Sequence, residues 1–167
     1  MLESVDIDPY ELSTVDREAA YWAAMANVRH IGPARIARLL SRFRSLSEAW
    51  SAPVESLRLV LEPRALAELT SARRAIDPER QLEDLRKRGI RILHAEHPEY
   101  PWLLSEASGR PTVLYIRGHL APEDAQSVGI VGTRRSTVYG KSVTERIAHE
   151  LAAAGVTVVS GLARGID

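Results

Sequence analysis

The 167-residue chain contains no cysteine. That absence excludes disulfides, thiolate metal sites and cysteine nucleophiles, and it agrees with a cytoplasmic location. Lysine is nearly missing as well: of the 22 basic residues only Lys87 and Lys141 are lysine, and the other 20 are arginine. Formal net charge is zero, so the chain as a whole exerts no pull toward nucleic acid or membrane. No long apolar run is present. The longest small-apolar stretch, Ala19 to Ala26, is far too short to span a bilayer, and the acidic amino terminus lacks the apolar segment of a secretion signal. The chain reads as soluble. Two phosphate-binding motifs are also absent. Gly129 and Gly132 stand three apart with Val131 between, so there is no G-x-G-x-x-G, and no G-x-x-x-x-G-K-[ST] occurs; neither a dinucleotide site nor an ATP hydrolysis site is indicated. Ser160 lacks the preceding glycine of a nucleophile elbow.

What is present is a 45% apolar chain, enough for a buried core, with its charge unevenly spread. Met1 to Glu18 holds six acids and one arginine, whereas Arg29 to Arg44 holds five arginines and no acid. Residues 1 to about 12 read as an acidic, aperiodic tail. Ser13 with Asp16 forms a capping-box pattern that opens a first helix, whose apolar face uses Ala19, Trp22, Ala23 and Ala26. After His30-Ile31-Gly32, Pro33 suits the first position of a second helix with the stripe Ile36, Leu39, Leu40 and Phe43. Ser45 and Glu48 open a third, and Pro53 and Pro63 precede two more. Residues 1–76 are therefore expected to form an all-helical domain.

Asp77-Pro78 starts another helix with Leu82 and Leu85 inward, and Gly89 ends it. Strands are expected at 90–94, 112–116, 127–131 and 156–159, with a helix over 137–154. Trp102, Leu103 and Leu104 are expected to dock on the core. Strands separated by helices predict an α/β sheet domain over residues 77–167. Two turns sit at its carboxyl edge, where doubly wound sheets bind ligands. In the first, Gly132-Thr133-Arg134-Arg135-Ser136, an apolar strand ends in glycine, Ser136 or Thr137 can cap the following helix, and arginine can grip phosphate oxygens bidentately. Gly140 allows close helix–sheet approach, and Val143, Ile147 and Leu151 are expected to bury the helix's inner face. The second turn, Ser160-Gly161-Leu162-Ala163-Arg164-Gly165, repeats the recipe. One such turn alone is equally well a structural turn; two together, each with an arginine, point to a phosphate site.

These residues resemble the DNA-processing protein A (DprA/Smf) family. The resemblance rests on Val131, Gly132, Thr133, Arg134, Tyr139 and Gly140, on the run from Ser160 to Asp167, and on Tyr100-Pro101 with Pro111, Val113, Leu114, Tyr115 and Gly118. It covers residues 77–167 closely and the helical part more loosely. The resemblance implies a small helical domain of the sterile-alpha-motif-like kind, followed by the first half of a Rossmann-like parallel sheet that continues past Asp167. It also implies a non-catalytic, cytoplasmic protein without cofactor that binds single-stranded DNA, protects incoming DNA in natural transformation and helps load the RecA recombinase. The family's phosphate contact maps to Arg134, and Gly132, Thr133, Ser160, Gly161, Arg164 and Gly165 map to pocket positions. Self-association as a homodimer belongs to the family's missing remainder. The alternative is a nucleotide-binding phosphoribohydrolase, or a nucleotide-sensing module, on a related sheet.

Weaker signals have simpler readings beside them. Val28 to Leu40 is similar to a helix-hairpin-helix, although His30 stands where that motif's first glycine sits. Arg35, Arg38 and Arg42 share one side of the second helix and offer auxiliary DNA contacts, or a solvated face. His94 and His97 form H-x-x-H without a third ligand, which favours surface or hydrogen-bonding histidines over a metal site. Trp22, Trp50 and Trp102 could stack bases, but their apolar neighbours favour core packing.

Overall fold

The computed structural model describes residues 14–167, and these group into two compact units, one ending at Gly118 and one running from His119 to Asp167. The chain is mixed helix and sheet. The expected cap at Ser13 lies outside the described residues. From α1 (Thr14–Ala26), the residues Ala19, Trp22 and Ala23 are buried, as their spacing predicted, and Ala26 at the helix end is half-buried. At the next turn His30 takes a left-handed backbone (φ 65°), the conformation a glycine would adopt freely. The residue at the motif's glycine position thus takes a left-handed conformation although it is a histidine. Pro33 then opens α2 (Pro33–Arg42) from the extended Gly32, and Ile36, Leu39 and Phe43 turn inward.

The start of α3 (Leu46–Ser51) shows how amides left without intrahelical partners are satisfied. Ser45 Oγ accepts from the Glu48 amide at 3.0 Å, while Glu48 returns its carboxylate to the Arg44 amide at 2.7 Å, one residue earlier than in a strict capping box. Glu18, on α1, accepts from the Leu46 and Ser47 amides at 2.6 and 3.2 Å, so one helix caps another. At its other end, Arg73 of α5 (Pro63–Ala75) donates to the carbonyls of Ala49 and Ala52 at 3.1 and 2.8 Å. With α4 (Val54–Arg58), these helices enclose a core in which Met25, Leu39, Leu46, Leu57 and Leu69 are fully buried. Each such side chain contributes roughly 1.5–3 kcal/mol.

Asp77 caps α6 (Pro78–Lys87) through the Arg80 amide at 3.1 Å, and Gly89 follows in the left-handed region. Strands β1 (Ile90–His94) and β2 (Val113–Arg117) pair antiparallel, from Ile90 opposite Arg117 to His94 opposite Val113. The two-stranded sheet they form has no parallel neighbour among the described residues, a departure from a single α/β sheet. The cause lies in their connection. It holds only the single turn α7 (Trp102–Ser105), too little helix to cover a parallel crossover. Leu82 and Ile92 join Ala19, Ala20 and Ala23 in a second small core, which ties α6 and β1 to α1.

In this loop the expected docking of Trp102 and Leu103 is corrected: they are 65% and 51% exposed. The anchor is Tyr100, buried, with its hydroxyl donating to the Pro111 carbonyl at 2.7 Å. Trp22 and Trp50 are core residues. His94 lies flat on Trp22, with ring centroids 4.7 Å apart, and His97 Nδ1 accepts from the Glu99 amide at 3.1 Å. Burial, reinforced by the nearby His97, pushes His94 down to about 4.

The second unit contains a 3₁₀ turn (Pro122–Ala125), β3 (Ser127–Ile130), α8 (Val138–Ala153) and β4 (Thr157–Ser160). Here β3 and β4 pair parallel, Ser127 opposite Thr157 and Ile130 opposite Ser160, with α8 as the crossover. Asp124 accepts from the Ala121 amide and the Thr157 hydroxyl at 2.8 and 3.0 Å, fastening the 3₁₀ turn to the start of β4. The expected inner face of α8 is only partly covered. Val143 and Leu151 are half-buried, and Ile147 is 45% exposed. Two strands about 4.8 Å apart make too narrow a floor for a helix about 10 Å across.

Two outcomes follow. Leu39→Ala should cost the first unit about 2–5 kcal/mol in urea unfolding followed by tryptophan fluorescence. For His94, the unfolded side chain protonates near pH 6.5 and the folded one near 4. The unfolded state therefore binds the extra proton between these values, so stability drops as pH is lowered from 6.5 towards 4. The loss should reach at most about 1.4 kcal/mol per pH unit, and His94→Phe should flatten the slope.

Candidate nucleic-acid interface

The two turns of the second unit grow from the carboxyl ends of β3 and β4, which are hydrogen-bonded neighbours, so strand pairing alone brings them side by side. Their contact is closer than pairing requires. The Ile166 amide donates to the Thr133 carbonyl at 3.2 Å, and the Gly132 amide donates to Asp167 Oδ1 at 2.8 Å. A β-carbon on Gly132 would lie 2.6 Å from Cβ of Ile166. On Gly165, whose φ is +118°, it would collide with the Thr133 carbonyl oxygen and come 2.7 Å from Cα of Arg134. Glycine is thus dictated at 165 twice over, by conformation and by space.

Inside the turns, short polar side chains hold the backbone. Thr133 Oγ1 accepts from the Arg135 amide at 3.2 Å, and Ser160 Oγ faces the Leu162 amide at 3.4 Å. Of the two candidate caps, Thr137 is the one that caps α8, accepting from the Gly140 amide at 3.0 Å. Gly140 lies under both Thr137 and Ile166, where a β-carbon would meet them at 3.3 and 3.5 Å.

The result is an open cleft of ≈ 490 Å³ lined by Arg134, Arg135, Ala163 and Arg164. All three arginines are exposed, and none has an ion-pair partner among the described residues. Three unneutralised guanidinium groups around one cleft favour an anion with several oxygens, such as phosphate. Of the residues expected in the site, Gly132, Thr133, Arg134, Ser160, Gly161, Arg164 and Gly165 all lie on these two turns.

The arginines of α2 are differently placed. Arg35 and Arg38 each reach the Glu62 carboxylate at 2.8 Å, and these two bonds pull its pKa down to about 2. They are already occupied by an anion of the chain itself. Arg42 is exposed, its guanidinium carbon 6.0 Å from the Phe43 ring centroid.

Sequence reasoning assigned no role to Arg135, Ile166 or Asp167. Arg135 was signalled by the doubled arginine of the first turn. The roles of Ile166 and Asp167 depend on contacts with a turn more than thirty residues earlier in the chain, which local pattern does not encode.

Residues 91–167 match the family described as DNA recombination-mediator protein A. The chain is 36% identical over 156 residues to Protein Smf of Synechocystis sp. (strain ATCC 27184 / PCC 6803 / Kazusa), covering 90% of this chain and 39% of the relative. It is 33% identical over 167 residues to the putative DNA processing protein DprA of Mycobacterium tuberculosis (strain ATCC 25618 / H37Rv), covering 92% and 42%. DNA processing protein DprA of Bacillus subtilis (strain 168) matches at 37% over 89 residues, 53% of this chain and 30% of the relative. The family description names a recombination mediator, and the Mycobacterium and Bacillus relatives are named as DNA processing proteins. The chain belongs to this group, the DprA/Smf family. It spans about two fifths of the length of the relatives it matches over most of its own.

The glycine packing gives a direct comparison. Gly155 (φ +78°) has open space around it, so Gly155→Ala should cost about 1 kcal/mol of strain. Gly165→Ala adds a backbone collision and should cost clearly more, about 2–3 kcal/mol or complete loss of the turn. Hydrogen exchange of the α8 amides, read by NMR, checks both.

Proposed function

We propose that the chain is part of a single-stranded-DNA-binding protein of the DprA type, which protects incoming DNA in natural transformation and helps load the RecA recombinase. The observation that carries this reading is the cleft where two interlocked turns present three exposed, unpaired arginines. Such a cleft recognises the sugar-phosphate backbone through charge and forked hydrogen bonds, with no base-edge reading required. Arg134 makes the principal phosphate contact, Arg135 and Arg164 support it, and Gly132, Thr133, Ser160, Gly161 and Gly165 shape the backbone beneath them. The paired Arg35 and Arg38 are auxiliary at most.

The family match from residue 91 to 167 runs across the boundary between the two compact units. It supports treating residues 77–167 as one functional domain, the first half of a Rossmann-like sheet, after a sterile-alpha-motif-like helical domain at 1–76. The protein works without cofactor or catalysis and in the cytoplasm. Recombinase loading and homodimer formation involve the further length present in the relatives. Among the described residues no helix is long and apolar enough to cross a membrane.

Fluorescence anisotropy of a labelled oligo(dT), at low and moderate salt, tests the reading. The chain should bind in a salt-sensitive way and prefer single strands over a duplex competitor. Arg134→Ala should weaken binding about tenfold on every sequence and lower the salt slope by about 0.7, whereas Arg35→Ala should change affinity less than twofold, about 0.4 kcal/mol. Equal binding by Arg134→Ala, or release of free base from a nucleoside monophosphate, would overturn it.

A further inference from the structure

We infer that Asp167 is a positioning residue for the arginine cleft, setting the first turn's geometry through the Gly132 amide; this rests on the DNA-binding reading above. Two observations concern the carboxylate itself and a third its neighbour Ile166. Its Oδ1 accepts from the Gly132 amide at 2.8 Å, the donor at the point where β3 ends and the arginine turn begins. Its Oδ2 lies where a β-carbon on Gly161 would approach to 2.9 Å, so the second turn leaves room for this acid by having no side chain there. The neighbouring Ile166 amide holds the Thr133 carbonyl, and the Ile166 side chain fills the space over Gly132. Gly132 and Thr133 are thereby bonded to consecutive residues of the second turn, immediately before Arg134.

The arrangement has a chemical consequence. In anion sites built on glycine turns, free backbone amides commonly cradle the phosphate. Here the Gly132 amide is already taken by a carboxylate, so it is not a ligand donor. Phosphate is gripped by the guanidinium groups instead, and Asp167 orients the backbone that carries one of them. An acid close to a phosphate site opposes anion binding through space. Its benefit therefore lies in the hydrogen bond and not in the charge, and an uncharged acceptor of the same shape should serve as well or better.

The test uses three variants of the 167-residue chain, with oligo(dT) binding by anisotropy and ¹⁵N NMR of the Gly132 amide and the Arg134 and Arg164 Nε groups. Asp167→Ala removes the acceptor. It should weaken binding about tenfold, expose the Gly132 amide to exchange and shift both arginine signals. Asp167→Asn keeps an oxygen acceptor and should restore the amide's protection, the arginine signals and affinity to the parent level or above. General loss of stability would not produce that rescue. Gly161→Ala, which crowds the carboxylate without removing it, should shift the same signals to a smaller degree and keeps the test available if Asp167→Ala does not fold.

An unchanged Gly132 amide in both Asp167→Ala and Gly161→Ala overturns the inference. So does a freed amide with parental DNA affinity, in a chain where Arg134→Ala does weaken binding; the DNA-binding reading then stands alone. If the parent does not bind oligo(dT), that reading fails, and the arginine signals decide the positioning role. Shifts in Asp167→Ala that Asp167→Asn reverses support it, and their absence overturns it.

Discussion

The separation of the two arginine turns is set by the close approach of Gly165 to the backbone of Thr133 and Arg134. A side chain at 165 would enter the Thr133 carbonyl oxygen, so no other residue type permits this distance. Strand pairing brings the ends of β3 and β4 near each other, but it is this packing that turns neighbouring loops into one cleft. Ile166 and Asp167 can reach the first turn because Gly165 has let the chain come in under it. Backbone contact of this kind is short-ranged and stiff, and it suits a site whose ligand carries its charge on small, closely spaced oxygens.

Charge is arranged by pairing more than by number. The chain is formally neutral and rich in arginine, yet its arginines fall into different situations. Arg35 and Arg38 share Glu62, Arg91 meets Glu99 at 2.6 Å, and Arg73 is consumed by helix carbonyls. What sets Arg134, Arg135 and Arg164 apart is that three guanidinium groups without an ion pair line one cleft. Sequence alone draws the eye to the run from Arg29 to Arg44, with five arginines and no acid. The structure shifts attention to a sparser set that no acid neutralises.

Local signals in the sequence were readable where the physics is local. Pro33, Pro63 and Asp77-Pro78 begin helices where proline's fixed φ and missing donor are tolerated, and Thr137 caps α8 within its own turn. The parallel β3–α8–β4 unit followed from the alternation of strand and helix, and the glycine turns followed from their composition. Contacts between distant segments were not readable. Nothing near Glu18 says that it caps α3, and nothing near Tyr100 says that it, and not Trp102, anchors the loop. The same holds for the antiparallel pairing of β1 with β2 and for the bond from Gly132 to Asp167, since each depends on what the fold brings alongside. His30 is an instructive middle case: the missing glycine argued against a tight hairpin, and the backbone takes the left-handed shape regardless.

The placement of aromatic residues has a bearing on how the molecule can be observed. Trp22, Trp50 and Trp102 all belong to the first unit, where the first two sit inside a close-packed core, whereas the second unit has no tryptophan and, among its described side chains, none that is buried. Tryptophan fluorescence thus reports on the first unit and is silent about the cleft. Two units so unequal in packing need not share one cooperative transition, so a single midpoint read from tryptophan would describe the first unit alone. A sample judged native by that signal could have lost its arginine turns altogether.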